Sequence, residues 1–192
     1  MRKNIIITGG LGYIGSELCK LYSGYSWHQN IKIIDKRFIS ERVNQIRNWN
    51  MEFIQGDILD KNIVEKHFKE ADVVHHLAGI TDVPRTKSES TQERDKKIYE
   101  EAEIGTKNIL EVINNKCKII FPSTHVVFEG IKDVKNDIKE NEQTQPILAY
   151  AKSKALNERQ LKESGKNFVI LRLGSVYGYS LDTMRIDIMP NL

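Results

Sequence analysis

Residues Thr8–Ser16 read TGGLGYIGS, which spaces Gly9, Gly12 and Gly15 as G-x-x-G-x-x-G. The residues leading into them, Asn4–Thr8 (NIIIT), centre on three isoleucines and read as a strand. The residues that follow, Tyr13–Tyr22, carry a helical pattern. A glycine turn set between a strand and a helix has a physical purpose. Its first glycine permits the tight turn, and its second lets backbone N–H groups approach a pyrophosphate. Its third lets the helix pack closely, with the positive N-terminal end toward the phosphates. Asp35 follows Gly15 by twenty residues, at the end of a second apolar run, Ile31–Asp35 (IKIID). There it is placed to accept hydrogen bonds from the adenosine ribose and to repel a 2′-phosphate, which favours NAD. Lys36 and Arg37 come next and offer the opposite preference, two cations able to hold that phosphate, so NADP stays open.

Working outward, short apolar runs keep alternating with longer amphipathic stretches. Met51–Gln55, Asp72–Leu77, Lys118–Pro122 and Phe168–Leu173 read as further strands, apolar on both faces as strands covered by helices on both sides must be. Asp60–Lys69 and stretches near Ser90–Asn115 and Leu148–Ser164 read as helices. This alternation implies right-handed crossovers and a parallel sheet. The expected fold is α/β, a Rossmann-type doubly wound sheet in strand order 3-2-1-4-5-6 with helices on both faces. Glu129–Gln145 breaks the rhythm as a long polar loop of the kind tied to function. From Gly174 onward the rhythm fades.

The 192 residues suffice for one domain with a real core. Charges are interspersed and sum to only +3, so no nucleic-acid or membrane footprint is read, and Ile5–Ile7 is too short an apolar opening for a signal peptide or a span. Cys19 and Cys117 sit inside apolar patterns and read as buried hydrophobes of a reducing compartment, the cytoplasm. No metal is expected: His75 and His76 are adjacent on a strand and so point to opposite faces, and no Cys/His spacing suits zinc. Asp57, after the third strand, is read either as a contact to the adenine edge or as a helix N-cap.

Tyr150 and Lys154 lie four apart in YAKSK at the start of a helix and share one face. The pair follows the fifth strand and Ser123-Thr124, which would stand at the carboxyl edge of the sheet, where open α/β folds bind ligands. A tyrosine of pKa near 10 is a poor base at neutral pH, but a neighbouring ammonium and a positive nicotinamide ring stabilise its phenolate. That phenolate can take a proton from a substrate hydroxyl, with Thr124 holding the substrate oxygen.

Together these residues resemble the extended short-chain dehydrogenase/reductase family, in its NAD-dependent nucleotide-sugar epimerase/dehydratase branch. The resemblance runs from Lys3 to about Asn191. TGGLGYIGS resembles the family's phosphate loop, implying cofactor contacts at Gly9, Gly12, Tyr13, Ile14 and Gly15. Asp35 with Lys36 resembles its ribose clasp, and GDI, with Asp57 and Ile58, its adenine contact. HLAG, with Leu77, Ala78 and Gly79, is similar to the wall after strand four. PSTHVVFEG resembles the segment bearing the catalytic serine or threonine, here Thr124. YAKSKALNE resembles the catalytic helix, implying catalytic and cofactor roles for Tyr150 and Lys154. LRLGSVYG is similar to the segment lining the nicotinamide, with Leu173. RIDIMPN (Arg185–Asn191) resembles the opening of the substrate lobe, so residues 1–178 are expected to be the NAD(P)-binding domain and 179–192 the start of a largely missing lobe.

Departures shape the expectation. Sugar 4,6-dehydratases of the branch carry Asp-Glu directly after the catalytic threonine, and here His125 and Val126 stand there. Valine cannot transfer a proton, so that elimination is disfavoured. His125 is read as a substrate contact or as a packing or cofactor-wall residue. Ala102 and Ser175 replace common asparagines. Branch members run to about 300 residues or more; the chain is expected to be a fragment, because Arg185–Leu192 reads as a helix interrupted rather than capped. The resemblance implies an NAD-dependent epimerase acting on a nucleotide sugar, and a homodimer formed through the fourth and catalytic helices. Its rivals are an NAD(P)H-dependent reductase and a catalytically silent nucleotide-binding module.

Overall fold

The computed structural model describes residues 2–80, 89–132 and 137–178. Six parallel strands form one sheet: β1 Asn4–Thr8, β2 Asn30–Asp35, β3 Glu52–Gln55, β4 Val73–His76, β5 Lys118–Thr124 and β6 Asn167–Leu173. Their order is β3-β2-β1-β4-β5-β6, as expected. The helices are α1 Tyr13–Ser23, α2 Ser40–Asn48, α3 Lys61–Phe68, α4 Gln92–Val112 and α5 Ala149–Glu163.

The side-chain period of two in a strand divides the core. Ile5, Ile7, Ile31 and Ile33 pack with Cys19 of α1 and with Val43 and Ile46 of α2. Ile6, Ile34, Val74, Ile119 and Phe121 pack on the other face with Val64 and Phe68 of α3, Ile109 of α4 and Leu161 of α5. One strand therefore feeds two cores, and helices cover both faces. Cys19 and Cys117 are free and buried, and burial pushes their thiols up to about 12 and about 11. His75 and His76 do point to opposite faces. Tyr22 Oη lies 2.8 Å from His75 Nε2, while His76 Nε2 lies 2.9 Å from Thr106 Oγ1.

Two features differ from the sequence reading. The helix α2 was not read, because its nine residues SERVNQIRN bury only Val43 and Ile46. The sixth strand is not covered on both faces: Val169 and Leu171 are 38% and 43% exposed. It is the edge of the sheet next to β5, and an edge strand's apolar run does not reveal which face is packed. The expected substrate-lobe segment at 179–192 lies outside the described residues. Among the described residues no helix is long and apolar enough to cross a membrane.

Candidate active site

The parallel order reverses between β1 and β4, and connections leave these strands in opposite directions, so a crevice opens at their carboxyl ends. A cavity of about 680 Å³ occupies it, within the range of about 300–1,000 Å³ usual for small-molecule sites. Every residue that the sequence assigned to cofactor contact or catalysis lines this cavity.

The glycine turn forms its floor. Gly9 has φ +67°, where side chains are strained, and a Cβ there would stand 2.9 Å from the Ala78 nitrogen. At Gly15 a Cβ would stand 2.3 Å from the Gly9 carbonyl oxygen. The turn is thus closed against β4 and against itself, and Gly12 stands as N-cap of α1 without any side-chain cap. Helix-start N–H groups left without such a partner suit an anion. The residues present therefore fit a dinucleotide: a helix N-terminus with no side-chain cap on the pyrophosphate side and a buried carboxylate, Asp35, 5% exposed, where a ribose would lie. Asp57, read either as an adenine contact or as a helix N-cap, is settled in part. Asp57 is not the N-cap of α3, because Asp60 takes that role by accepting from the Asn62 N–H at 2.9 Å. Asp57 accepts instead from Leu59 N–H at 3.0 Å and faces Lys36 Nζ at 4.0 Å.

Across the cavity, β5 and α5 bring the polar groups. The helix α5 starts where Glu129 holds it, its Oε1 accepting from the N–H groups of Ile147 and Leu148, both at 2.6 Å. A carboxylate there also suits the positive end of the helix. One turn in, Lys154 donates to the Pro122 carbonyl at 3.0 Å and lies 4.5 Å from the Phe121 ring centre and 5.8 Å from that of Tyr150. Burial pushes its ammonium down from 10.5 to about 8. The neighbouring hydroxyls divide their work. Ser123 donates to Glu158 Oε1 at 2.6 Å, whereas Thr124 lines the cavity and its Oγ1 accepts from Val126 N–H at 3.3 Å. That leaves the Thr124 O–H proton available to a substrate oxygen. His125 Nδ1 lies 3.2 Å from the Leu173 carbonyl, and its side chain also lines the cavity.

Two buried networks behind the site were not read from the sequence. In the first, Thr8 Oγ1 accepts from Ala78 N–H at 3.0 Å and lies 3.4 Å from His76 Nδ1, and His76 reaches Thr106. Thr106 in turn accepts from Asn157 of α5 at 2.9 Å. Burial, and then the Lys154 charge, lower His76 to about 3 and keep it neutral. In the second, Glu158 accepts from Arg172 Nη2 at 2.7 Å and Nε at 3.0 Å, and Arg172 Nη1 donates to the Glu140 carbonyl at 2.9 Å. These ties join β1, α4, α5, β6 and the long loop, and hold the Tyr150–Lys154 helix against the cofactor strands.

A family model described as the NAD dependent epimerase/dehydratase family matches residues 5–189. A dTDP-D-glucose 4,6-dehydratase of Dictyostelium discoideum is 29% identical over 197 residues, covering 92% of this chain and 44% of that protein. A putative UDP-glucose 4-epimerase of Methanocaldococcus jannaschii is 31% identical over 186 residues, covering 93% of this chain and 57% of that protein. Among solved structures, the UDP-glucose 4-epimerase of Thermotoga maritima with UDP-glucose is 28% identical at a TM-score of 0.73, covering 91% of this chain and 56% of that one. The UDP-glucose 4-epimerase of Brucella ovis in complex with NAD is 27% identical at 0.69, covering 88% and 51%. The chain thus spans about half the length of the relatives it matches. On the match of 5–189, it belongs to the NAD dependent epimerase/dehydratase family.

Proposed function

We propose that this chain is the cofactor-binding and catalytic part of an epimerase that holds NAD and acts on a nucleotide sugar. One observation carries the reading: Tyr150, Lys154 and Thr124 line the same cavity as the glycine turn and Asp35. NAD, when bound, supplies the acceptor that takes a hydride from a sugar carbon and later gives it back. Gly9, Gly12 and Gly15 hold its pyrophosphate, Asp35 its ribose, and Asp57 and Ile58 its adenine end. Tyr150 takes the proton from the sugar hydroxyl, Lys154 stabilises the phenolate so formed, and Thr124 holds the reacting oxygen. Lys154 acts at short range in a partly desolvated wall, where a charge is felt more strongly than in water. A 4,6-dehydratase is disfavoured, because Val126 stands where elimination needs a proton-transferring side chain.

In this reading residues 1–178 form the cofactor domain, 179–192 open a substrate lobe, and two copies pair through α4 and α5. The buried free thiols suit the cytoplasm. The test is turnover of UDP- and dTDP-hexoses with NAD present, followed by product analysis and absorbance at 340 nm. Inverted sugar with no net absorbance change is expected. A net change would make the protein a reductase or dehydrogenase, and NAD binding with no turnover of any sugar nucleotide would make it a silent binding module.

A further inference from the structure

The helix α5 begins without a cap of its own. Leu148 stands at its N-cap position with no side-chain hydrogen bond, and its first turn holds no acid. What holds that end comes from the segment after β5. Thr124 ends β5 and caps a short 3-10 helix, His125–Phe128, by accepting from Val126 N–H. Glu129 closes this turn, its N–H donating to the Val126 carbonyl at 3.1 Å, and its Oε1 takes both the Ile147 and the Leu148 N–H groups. Two backbone bonds stand beside the carboxylate. Gly130 N–H donates to the Gln145 carbonyl and Gln145 N–H to the Val127 carbonyl, each at 2.8 Å. The two segments approach so closely that a Cβ on Gly130 would stand 2.4 Å from the Gln145 oxygen. Residues 127–130 and 145–148 thus form a clasp at the base of the long loop. A second tie lies farther along the helix: the Arg172 guanidinium stands 4.9 Å from the Phe128 ring centre and pairs with Glu158. The helix is therefore bound at two levels to the segment that carries Thr124, and Tyr150 lies in its first turn, beside the upper tie.

We propose that Glu129 is a positioning residue for the reaction: by tying the start of α5 to the turn that follows Thr124, its carboxylate fixes the Tyr150 phenol within the cavity. This rests on the reading of Tyr150 as the group that takes the substrate proton. Backbone N–H bonds to a carboxylate are charge-assisted and stronger than neutral ones, and this carboxylate also lies at the positive end of the helix. Without it the two N–H groups turn to water, and the first turn frays as helix ends do. The Arg172–Glu158 pair and the buried Leu156 and Leu161 still dock the rest of α5, so the loss stays local to the turn of Tyr150. A displacement of about 1 Å at a reacting group is enough to cost about 10²-fold in rate. A side chain that touches neither substrate nor cofactor thus governs proton transfer through the placement of a helix.

The experiment is NMR of the NAD-bound chain, unsubstituted and as Glu129→Ala and Glu129→Gln, with Glu163→Gln as a control on the same helix. Each protein is also titrated with NAD and checked for fold by circular dichroism. Cross-relaxation between the Tyr150 ring and the nicotinamide protons reads the position of the phenol without requiring turnover. Glu129→Ala is expected to lower it by about fourfold or more, as its sixth-power distance dependence gives when ~1 Å is added to a contact of about 4 Å. NAD affinity should stay within about threefold, and exchange of the Ile147 and Leu148 amides should quicken by about tenfold or more. Glutamine keeps an acceptor oxygen at the same reach, so Glu129→Gln should stay within about twofold of the unsubstituted signal. Glu163→Gln should match the unsubstituted protein. The proposal is overturned if Glu129→Ala lowers the signal by less than about fourfold, or weakens NAD by more than about threefold and so marks a support of the whole site. It is equally overturned if Glu129→Gln fares no better than Glu129→Ala. Should Glu129→Ala not fold, Glu129→Asp, too short to reach both N–H groups, takes its place under the same thresholds. NAD bound to the unsubstituted chain with no Tyr150–nicotinamide signal would remove the catalytic reading of Tyr150 itself, and that failure shows before any substitution is made.

Discussion

Replacing Lys154 by methionine exposes the cost of holding an ammonium in the wall of the cavity. Burial lowers this lysine from 10.5 to about 8. The unfolded chain therefore binds the proton more tightly than the folded chain does. The penalty for folding with a charged lysine is full below about pH 8 and fades as pH rises to 10.5. The unsubstituted protein should accordingly gain stability relative to Lys154→Met as pH rises from about 7 to about 9.5. At about 1.4 kcal/mol per pH unit, complete desolvation would give a gain of about 2 kcal/mol. The side chain is only partly buried by area, and the remaining solvent contact reduces the expected gain to about 1 kcal/mol. Urea unfolding of both proteins at the two pH values measures it. The comparison cancels titrations common to both, and the lost hydrogen bond to Pro122 lowers the variant by a similar amount at each pH. A difference that stays flat, or that moves against the unsubstituted protein on raising pH, would refute a desolvated ammonium beside Tyr150.

Tyr150→Phe should lower turnover by about 10²–10⁴-fold while leaving NAD affinity within about threefold, because only the proton-transferring oxygen is removed; steady-state rates and a binding titration check the split. Gly15→Ala should weaken NAD by about tenfold or more in the same titration, since its methyl would stand 2.3 Å from the Gly9 carbonyl oxygen and the turn must shift. Arg172→Met should cost about 3 kcal/mol in urea unfolding at neutral pH, because it strands a carboxylate inside the protein; Glu158 is 2% exposed. Burial pushes the Glu158 carboxyl up, but the Arg172 and Ser123 hydrogen bonds and the Arg172 and Lys162 charges together outweigh that and hold it below 4.5, so this difference should be large at neutral pH and shrink as pH falls through 4.5 and below.

The sheet was legible because its central strands carry short runs of isoleucine and valine, and Ile5, Ile6 and Ile7 alternate between two cores. The helix α2 was not, because two buried residues in nine give too weak a period. On the ligand side, Gly9, Gly12, Gly15 and Asp35 announce themselves by spacing, and Tyr150 and Lys154 by sharing a helix face. What stayed hidden are pairings between residues distant in the chain. Nothing in the charged stretch around Glu101 says that it reaches Lys36, sixty-five positions away. Nothing in LRL says that Arg172 neutralises Glu158. The bond from Arg37 Nε to Asp35 Oδ1 is local, two residues apart, yet only side-chain geometry reveals it.

In the proposed reading a glycine turn, a ribose acid and a tyrosine–lysine pair close on one dinucleotide. Crystals grown with NAD test it most directly. Pyrophosphate density over the N-terminus of α1 and a nicotinamide ring packed against Tyr150 and Lys154 are expected. Density for the nicotinamide outside this cavity, or pyrophosphate bound away from Gly12 and Gly15, would contradict it.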